Sequence, residues 1–184
     1  MLDASPDYLR PILHCAYYTG MRRGEILALI WDKVDLKAGF IRLKDTDAKT
    51  DEARSIPIGR ELGEVLVRLP VAVDTQGERI RYVFTHNGRA VKSIKWVFAR
   101  VRQQADITNT VFHDFRHTAT TNLRRAGVDA LTAMKITEHK TTAVFKRYNT
   151  IDKQDLKMAQ RRMDTYMDTI EEISQPQHLQ APDK

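Results

Sequence analysis

The sequence predicts an α+β fold that is mainly helical and carries a small three-stranded antiparallel sheet. Apolar residues recur at helical spacing in several separate stretches, of which the run from Leu9 to Tyr17 is the first. Between these stretches, Trp31 to Lys44 is rich in strand-forming residues and contains the turn Ala38-Gly39, a pattern typical of a hairpin. A chain of 184 residues is long enough for one domain with its own core.

Composition narrows the class of partner and the compartment. The net charge of +6 favours a polyanionic partner such as nucleic acid, although this excess also occurs in many other soluble proteins. The single cysteine, Cys15, cannot form an internal disulfide, which suits a reducing cytoplasm. No apolar run reaches the roughly 18 residues that cross a bilayer, and the N-terminus lacks the pattern of a signal peptide. We therefore expect a soluble, cytoplasmic protein without membrane contact.

The first helix is expected to start with Ser5 as its cap and Pro6 at the first helical position, and to end at Thr19-Gly20. Gly20 suits the left-handed conformation that closes many helices, so the chain turns there. A second helix is predicted from Arg22 to Ile30, which puts Arg22 at the junction.

A third strand is predicted at Arg54–Ile58, after a polar loop spanning 45–53. The segment Tyr82-Val83-Phe84 is expected to be buried. The later helix around residue 98 carries Lys92, Lys95, Arg100 and Arg102, which suit either a DNA backbone or an ordinary exposed face. The remaining predicted helices are 59–69, 93–105, 113–126, 128–136 and 155–167, followed by a polar tail.

The stretch from His113 to Tyr148 carries the strongest functional pattern. If His113 opens a helix, His113 and Arg116 share one face, so an imidazole and a guanidinium converge on one anion. That pair suits a phosphate. His139 and then Tyr148 follow at spacings that leave room for a helix, a turn and a short helix. A phenol is thereby placed beside two cationic groups.

Together with Thr19-Gly20-Met21-Arg22-Arg23-Gly24-Glu25, this spacing resembles the tyrosine recombinases, also called phage-type integrases. The resemblance implies a tyrosine-recombinase catalytic domain, which we assign to residues 1–168. The polar composition of the C-terminus predicts a disordered tail at 169–184. It implies a site-specific recombinase that cleaves double-stranded DNA through a 3′-phosphotyrosyl intermediate. It also implies a homotetramer on synapsed DNA, a monomer in isolation, no cofactor or metal, and a bacterial cytoplasm with nucleoid association.

The resemblance also implies a role for each site residue. Two guanidiniums, from Arg22 and Arg116, clamp the phosphate, and Glu25 holds the site together from behind. Lys49 matches a lysine that the family carries on the loop between the second and third strands, where Lys44 is the weaker candidate. The implied catalytic set is Arg22 and Arg116 as clamp, Lys49 as general acid, His113 as base, His139 as donor to a phosphate oxygen, and Tyr148 as nucleophile.

Three alternatives stay open for the same residues. A type IB topoisomerase or telomere resolvase shares the chemistry, and a catalytically silent DNA-binding domain shares the fold. The third alternative is a zinc site, since His113 and His117 are four apart and His139 offers a third ligand. It is the weakest because Arg116 would lie beside a dication and Tyr148 would have no role. We expect His117 instead to be a buried histidine with a backbone partner.

Two features depart from the family pattern. Glu138 occupies a position where the family usually has glycine, so we expect a residue with positive φ whose carboxylate lies near Arg22 and Arg116. That carboxylate would weaken the positive site. The family's separate upstream DNA-binding domain has no counterpart in this sequence, so we expect the catalytic domain alone.

Overall fold

The computed structural model describes residues 1–44, 53–73, 75–138, 151 and 153–174, without the side chains of Lys44, Ala53 and 171–174. Its helices are α1 Arg10–Thr19, α2 Arg23–Leu27, α3 Arg60–Val67, α4 Lys95–Gln104, α5 Asp114–Arg125, α6 Ala130–Thr137 and α7 Lys153–Ser174. Its strands are β1 Val34–Asp35, β2 Phe40–Lys44, β3 Ala53–Pro57, β4 Thr85–His86 and β5 Arg89–Ala90. The predicted class, mainly helical with a small antiparallel sheet, is confirmed.

The chain divides into two units, Met1–Asn149 and Thr150–Lys184. The first holds helices α1 to α6 and both sheets, and the second holds α7. In the described residues, no helix combines the length and the apolar character needed to span a membrane.

The predicted three-stranded sheet has the order β1-β2-β3, with both pairings antiparallel. Ile41 lies opposite Ile56, and both side chains are fully buried. Since side chains alternate between the two faces of a strand, residue 54 lies on the same inward face of β3 as residue 56. Arg54 is indeed buried, with 8% of its surface exposed.

Within the first unit, helix α1 packs against α3 and α5. Leu9, which immediately precedes α1, and Ile12 and Leu13 of α1 belong to one hydrophobic core with residues of the sheet and of α4. Helix α5 contacts α6, and α6 contacts β3. These contacts bring the ends of α1 and α6 and the strand β3 into one neighbourhood.

The predicted start of the first helix is wrong. Ser5 does not cap it, because its hydroxyl donates to the Met1 carbonyl at 2.9 Å. The Pro6 carbonyl accepts from Leu9 and Arg10, so a turn precedes the helix, which begins at Arg10. The predicted end is confirmed, with Gly20 left-handed at φ 63°.

Two helix ends also differ from prediction. The second helix ends at Leu27 rather than Ile30, because Leu29 and Trp31 form backbone hydrogen bonds with the chain at residues 81–83. These tertiary bonds satisfy groups that a longer helix would use. The last helix continues beyond Met167 to Ser174, so residues 169–174, assigned to the tail from sequence, are helical.

The sequence reasoning also missed the short hairpin of β4 and β5. Its turn is Asn87-Gly88, and both residues have positive φ, at 50° and 68°. An Asn-Gly pair is among the strongest local signals for a two-residue hairpin turn, so the signal was present in the sequence. Val83 and Phe84, just before the hairpin, are buried as predicted.

Candidate functional site

The turn at Gly20 places Arg22 at the entrance of α2. Gly20 is left-handed, and Arg22 is extended at φ −66° and ψ 147°, as the residue that caps α2. The Arg22 backbone N–H donates to Glu25 Oε2 at 2.7 Å, which satisfies a donor that the helix start would otherwise leave free. The Arg22 side chain remains 45% exposed, so its guanidinium is accessible from solvent.

Arg116 of α5 forms a hydrogen bond with the same turn. It lies in the first turn of α5 and is only 5% exposed. Its Nη1 donates to the Gly20 carbonyl at 2.9 Å. Burial first, and then the charges of Arg22 and Arg54, lower the pKa of Arg116 to about 10. The structure therefore brings the two predicted clamp arginines together at the Gly20 turn.

Close packing around Gly20 fixes this geometry. A Cβ on residue 20 would lie 3.1 Å from the Ala119 Cβ and 3.4 Å from Thr137 Cγ2. Because real Cβ contacts are rarely as short as 3.1 Å, a side chain at residue 20 would require α5 to shift by a few tenths of an ångström, and glycine allows the observed packing without that shift. Gly20 thus positions Arg116 both through its carbonyl and through its missing side chain.

Arg54 is a third guanidinium at this site, and the sequence reasoning did not select it. Its Nη2 lies 3.0 Å from Glu25 Oε2, and its Nη1 contacts Glu138 Oε2. The signal was its place in β3, two residues before the fully buried Ile56, where a charged residue on an inward face requires a buried partner. We call Arg22, Arg54 and Arg116 the arginine cluster.

Glu25 joins two members of the arginine cluster. It is 22% exposed, and its Oε1 lies 3.3 Å from Arg22 Nη1. Burial raises the pKa of Glu25, but the Arg54 charge, the Arg22 backbone N–H and the Arg22 charge outweigh burial, so its pKa lies below the ordinary value. Glu25 is therefore a carboxylate held ionised behind the arginines.

Glu138 adopts the backbone conformation that the glycine pattern predicts. It caps α6 in the left-handed region at φ 55° and ψ 47°. Its Oε2 contacts Nη1 of Arg22 and Nη1 of Arg54, and 19% of the side chain is exposed. The expected proximity to Arg22 is confirmed, but the second direct partner is Arg54 instead of Arg116. Glu138 still raises the pKa of Arg116 slightly, against the larger effect of burial.

His113 lies at the start of α5, three residues before Arg116, as the sequence predicts. Its side chain is exposed, and its ring meets that of His117 edge to face at 5.5 Å between centroids. His117 is half-buried, less than expected. Burial and then the neighbouring His113 lower its pKa. Among the described residues, no three His, Cys, Asp or Glu side chains form a group that could hold a metal ion.

The predicted site residues Lys49, His139 and Tyr148 lie outside the described residues. Of the predicted basic face on α4, Arg102 has a structural role, since its Nη1 donates to the carbonyls of Thr108 and Thr110. Lys92, Lys95 and Arg100 are exposed.

The fold and site define a helical domain that brings three guanidiniums into one neighbourhood. Arg22, the cap of α2, and Arg54 of β3 both contact Glu138, and their charges act on Arg116 of α5. Such an arrangement can stabilise an anion with several oxygens, and above all a phosphate. The chain belongs to the phage integrase family, whose model matches residues 1–155.

Individual relatives agree with this assignment. The chain is 30% identical over 176 residues to a shufflon-specific DNA recombinase of Escherichia coli, covering 94% of this chain and 43% of the relative. It resembles the crystal structure of XerA recombinase with a TM-score of 0.67 and 25% identity, covering 88% of this chain and 59% of XerA. It shares the fold of the Tn1549 transposon integrase in complex with transposon right end DNA, with TM-score 0.65, 20% identity, and coverage of 84% and 58%. This chain therefore spans about half the length of these relatives.

Proposed function

We propose that this chain is the catalytic domain of a site-specific DNA recombinase of the integrase type, spanning residues 1–168. The observation that carries the proposal is that Arg22 and Arg116 both lie at the Gly20 turn. Arg22 follows Gly20 by two residues, and Arg116 Nη1 donates to the Gly20 carbonyl at 2.9 Å. A phosphodiester gains charge on its non-bridging oxygens during attack, and two fixed guanidinium forks stabilise that charge. The recombinase names of the relatives favour this activity over a type IB topoisomerase or a telomere resolvase.

In the proposed reaction, each step of bond formation, proton transfer and charge stabilisation is assigned to one residue. The Tyr148 oxygen attacks the phosphorus, and the bond from phosphorus to the 5′-oxygen breaks. His113 accepts the phenol proton, because a phenol with an ordinary pKa near 10 is a poor nucleophile at neutral pH. Lys49 donates a proton to the departing 5′-oxygen, and His139 donates a hydrogen bond to a phosphate oxygen. The products are a 3′-phosphotyrosyl bond and a free 5′-hydroxyl, and the reverse reaction rejoins the strand.

The proposed partner is double-stranded DNA, bound by a homotetramer at two synapsed sites and by a monomer otherwise. A relative of similar fold was solved with transposon DNA, which supports this partner class. Because the chain covers only 43% of the shufflon recombinase, we propose that a second DNA-binding domain acts together with this one to enclose the DNA. The proposed steps use neither a metal ion nor a nucleotide, and we place the activity at the nucleoid in the bacterial cytoplasm.

A second candidate function is a DNA-binding domain that does not cleave. The contact of the Glu138 carboxylate with Arg22 favours it, since an anion already occupies one proposed phosphate ligand. Chemistry distinguishes the candidates, because only the recombinase forms a covalent bond to DNA.

The test is covalent trapping on a nicked suicide substrate. The target sequence is unknown, so the substrate is a pool of duplexes with randomised cores, each nicked so that the short 5′-hydroxyl fragment diffuses away after cleavage. Recombinase activity predicts an adduct that survives denaturing gels and whose recovered DNA is enriched for one sequence. DNA retention that is lost entirely on denaturation would instead support the silent domain.

A further inference from the structure

Glu138 combines an unfavourable backbone conformation with side-chain contacts to two arginines. Its φ of 55° lies in the left-handed region, which side chains with a Cβ adopt at a cost. Its carboxylate contacts the guanidiniums of Arg22 and Arg54, which come from distant parts of the chain. Charge-assisted hydrogen bonds of this kind are stronger than neutral ones, so they hold the side chain in place. The left-handed backbone thus directs a carboxylate to the arginine cluster.

The geometry of this contact matches the way an arginine pair holds an external anion. One oxygen, Oε2 of Glu138, accepts from Nη1 of both arginines. Two guanidiniums converging on one oxygen is an arrangement that also suits a non-bridging phosphate oxygen. Arg22 Nη1 additionally lies 3.3 Å from Glu25 Oε1. Its charge is therefore already shared between two carboxylates.

The charges of the site explain why a second anion competes with Glu138. The three guanidiniums of the arginine cluster and the two carboxylates leave a net charge of +1, that is three minus two. Without the Glu138 charge the same site would carry +2. A phosphodiester carries a single negative charge, so it meets a more favourable field when the Glu138 carboxylate is displaced or is replaced by an uncharged residue.

Burial identifies which arginine can exchange its partner. The Arg54 side chain is 8% exposed and holds both Glu25 and Glu138, whereas the Arg22 side chain is 45% exposed. The Arg54 Nε is buried with no hydrogen-bond partner within the described part of the chain. Losing a further partner at Arg54 is costly in a buried position, while Arg22 can exchange a carboxylate for another anion at the surface.

We propose that Glu138 is an internal ligand of the arginine cluster, and that a DNA phosphodiester displaces it from Arg22 while its contact with Arg54 persists. The identity of the displacing anion rests on the proposed function. Free of DNA, the carboxylate stabilises the convergence of Arg22 and Arg54, and it lowers the affinity of the site for any phosphate. DNA binding then exchanges one oxygen anion for another at Arg22.

The experiment compares five forms of the full chain: wild type, Glu138→Gln, Glu138→Gly, Glu64→Gln, and Glu138→Gln combined with Arg22→Met. Glu64 is an exposed carboxylate paired with Arg68, so Glu64→Gln makes the same change of net charge at the surface. Calorimetry with inorganic phosphate at constant ionic strength gives the affinity of each. We expect both Glu138 variants to bind phosphate about tenfold more tightly than wild type, equivalent to about 1.4 kcal/mol, and Glu64→Gln to differ by less than about twofold. Adding Arg22→Met to Glu138→Gln is expected to abolish the increase.

Phosphate affinities of folded Glu138→Gln or Glu138→Gly that equal that of Glu64→Gln would overturn the proposal. An increase that persists after Arg22→Met would also overturn it. The glycine variant removes the left-handed strain, so it keeps the test open if Glu138→Gln fails to fold. The suicide substrate separates this proposal from the function. Tighter phosphate binding by the Glu138 variants without any DNA adduct would refute the recombinase activity and support Glu138 as the internal ligand. A DNA adduct together with unchanged phosphate affinity would support the recombinase activity and refute the role of Glu138.

Discussion

Replacing Arg54 with methionine tests how the arginine cluster is held together. Methionine keeps an unbranched apolar side chain of similar length but removes the guanidinium that contacts Glu25 and Glu138. The matched control is Arg42→Met on the neighbouring strand β2. The Arg42 side chain is 56% exposed, and its Nη1 lies 3.1 Å from Asp35 Oδ2, so it makes a surface ion pair in the same sheet. Both variants lose one positive charge.

The expected difference follows from burial. Removing one partner of a buried ion pair costs roughly 3–5 kcal/mol, since a charge is left without compensation. Glu25 and Glu138 are 22% and 19% exposed, so water recovers part of this cost, and we expect a loss of about 2–3 kcal/mol for Arg54→Met. Surface pairs contribute about 1 kcal/mol or less, which bounds Arg42→Met. At about 2–4 °C per kcal/mol for a chain of this size, Arg54→Met should melt about 4–12 °C below wild type.

The pH dependence supplies an independent check through Glu25. Burial raises the pKa of Glu25, but Arg54 is the first of the causes that lower it below the ordinary 4.5. A lowered pKa in the folded state contributes stability above the ordinary pKa, and that contribution is lost as the pH falls through the folded value. Arg54→Met removes this contribution. The stability gap between wild type and Arg54→Met should therefore be widest near neutral pH and should narrow below about pH 4.5.

The assay is thermal and urea unfolding of wild type and both variants at about pH 7 and about pH 4. The reasoning would be refuted if Arg54→Met and Arg42→Met had equal stability at neutral pH. It would also be refuted if the gap for Arg54→Met stayed constant between the two pH values.

Three further predictions address the Gly20 turn, the clamp and the core. Gly20→Ala should destabilise the fold by about 2 kcal/mol or more in urea unfolding, because φ is 63° and the new Cβ would lie 3.1 Å from the Ala119 Cβ. An unchanged free energy of unfolding would show that α5 can shift to accommodate the new side chain. Arg116→Lys should slow covalent trapping by a barrier of about 3 kcal/mol, because an ammonium cannot replace the fork, and an unchanged rate would exclude Arg116 from the site. Burial raises the pKa of the Cys15 thiol from 9.0 to about 12, so the free energy of unfolding should fall as the pH rises from 9.0 towards 12. Labelling of this thiol should require unfolding, and rapid labelling of the native chain would contradict its burial.

Local rules in the sequence predicted much of the fold and part of the site. The Gly20 helix end, the three-stranded sheet and the place of Arg116 on α5 are all confirmed, because each depends on residues close together in sequence. The left-handed Glu138 is confirmed for the same reason, since the preceding helix must reverse there. The roles of Lys49, His139 and Tyr148 stay predictions.

The errors arose where distant segments decide the outcome. The second helix ends early because backbone groups near Leu29 bond to the strand-like segment at 81–83, which no local propensity reveals. The contact of Glu138 with Arg54 depends on the packing of α6 against β3. The Asn87-Gly88 hairpin is different, because its signal is local and was overlooked. Local chemistry thus predicted elements, and tertiary contacts set their ends and their ion pairs.

The most direct test of the central claim determines which residue forms the covalent bond to DNA. Wild type, Tyr148→Phe and Tyr166→Phe are incubated with the nicked suicide pool and resolved on denaturing gels. Tyr166 is a matched control because it is an exposed tyrosine of the same chain, 61% exposed. We predict equal adduct in wild type and Tyr166→Phe, attached to the 3′ end of the cleaved strand, and none in Tyr148→Phe. An adduct that persists in Tyr148→Phe, or no adduct in wild type, would contradict the account.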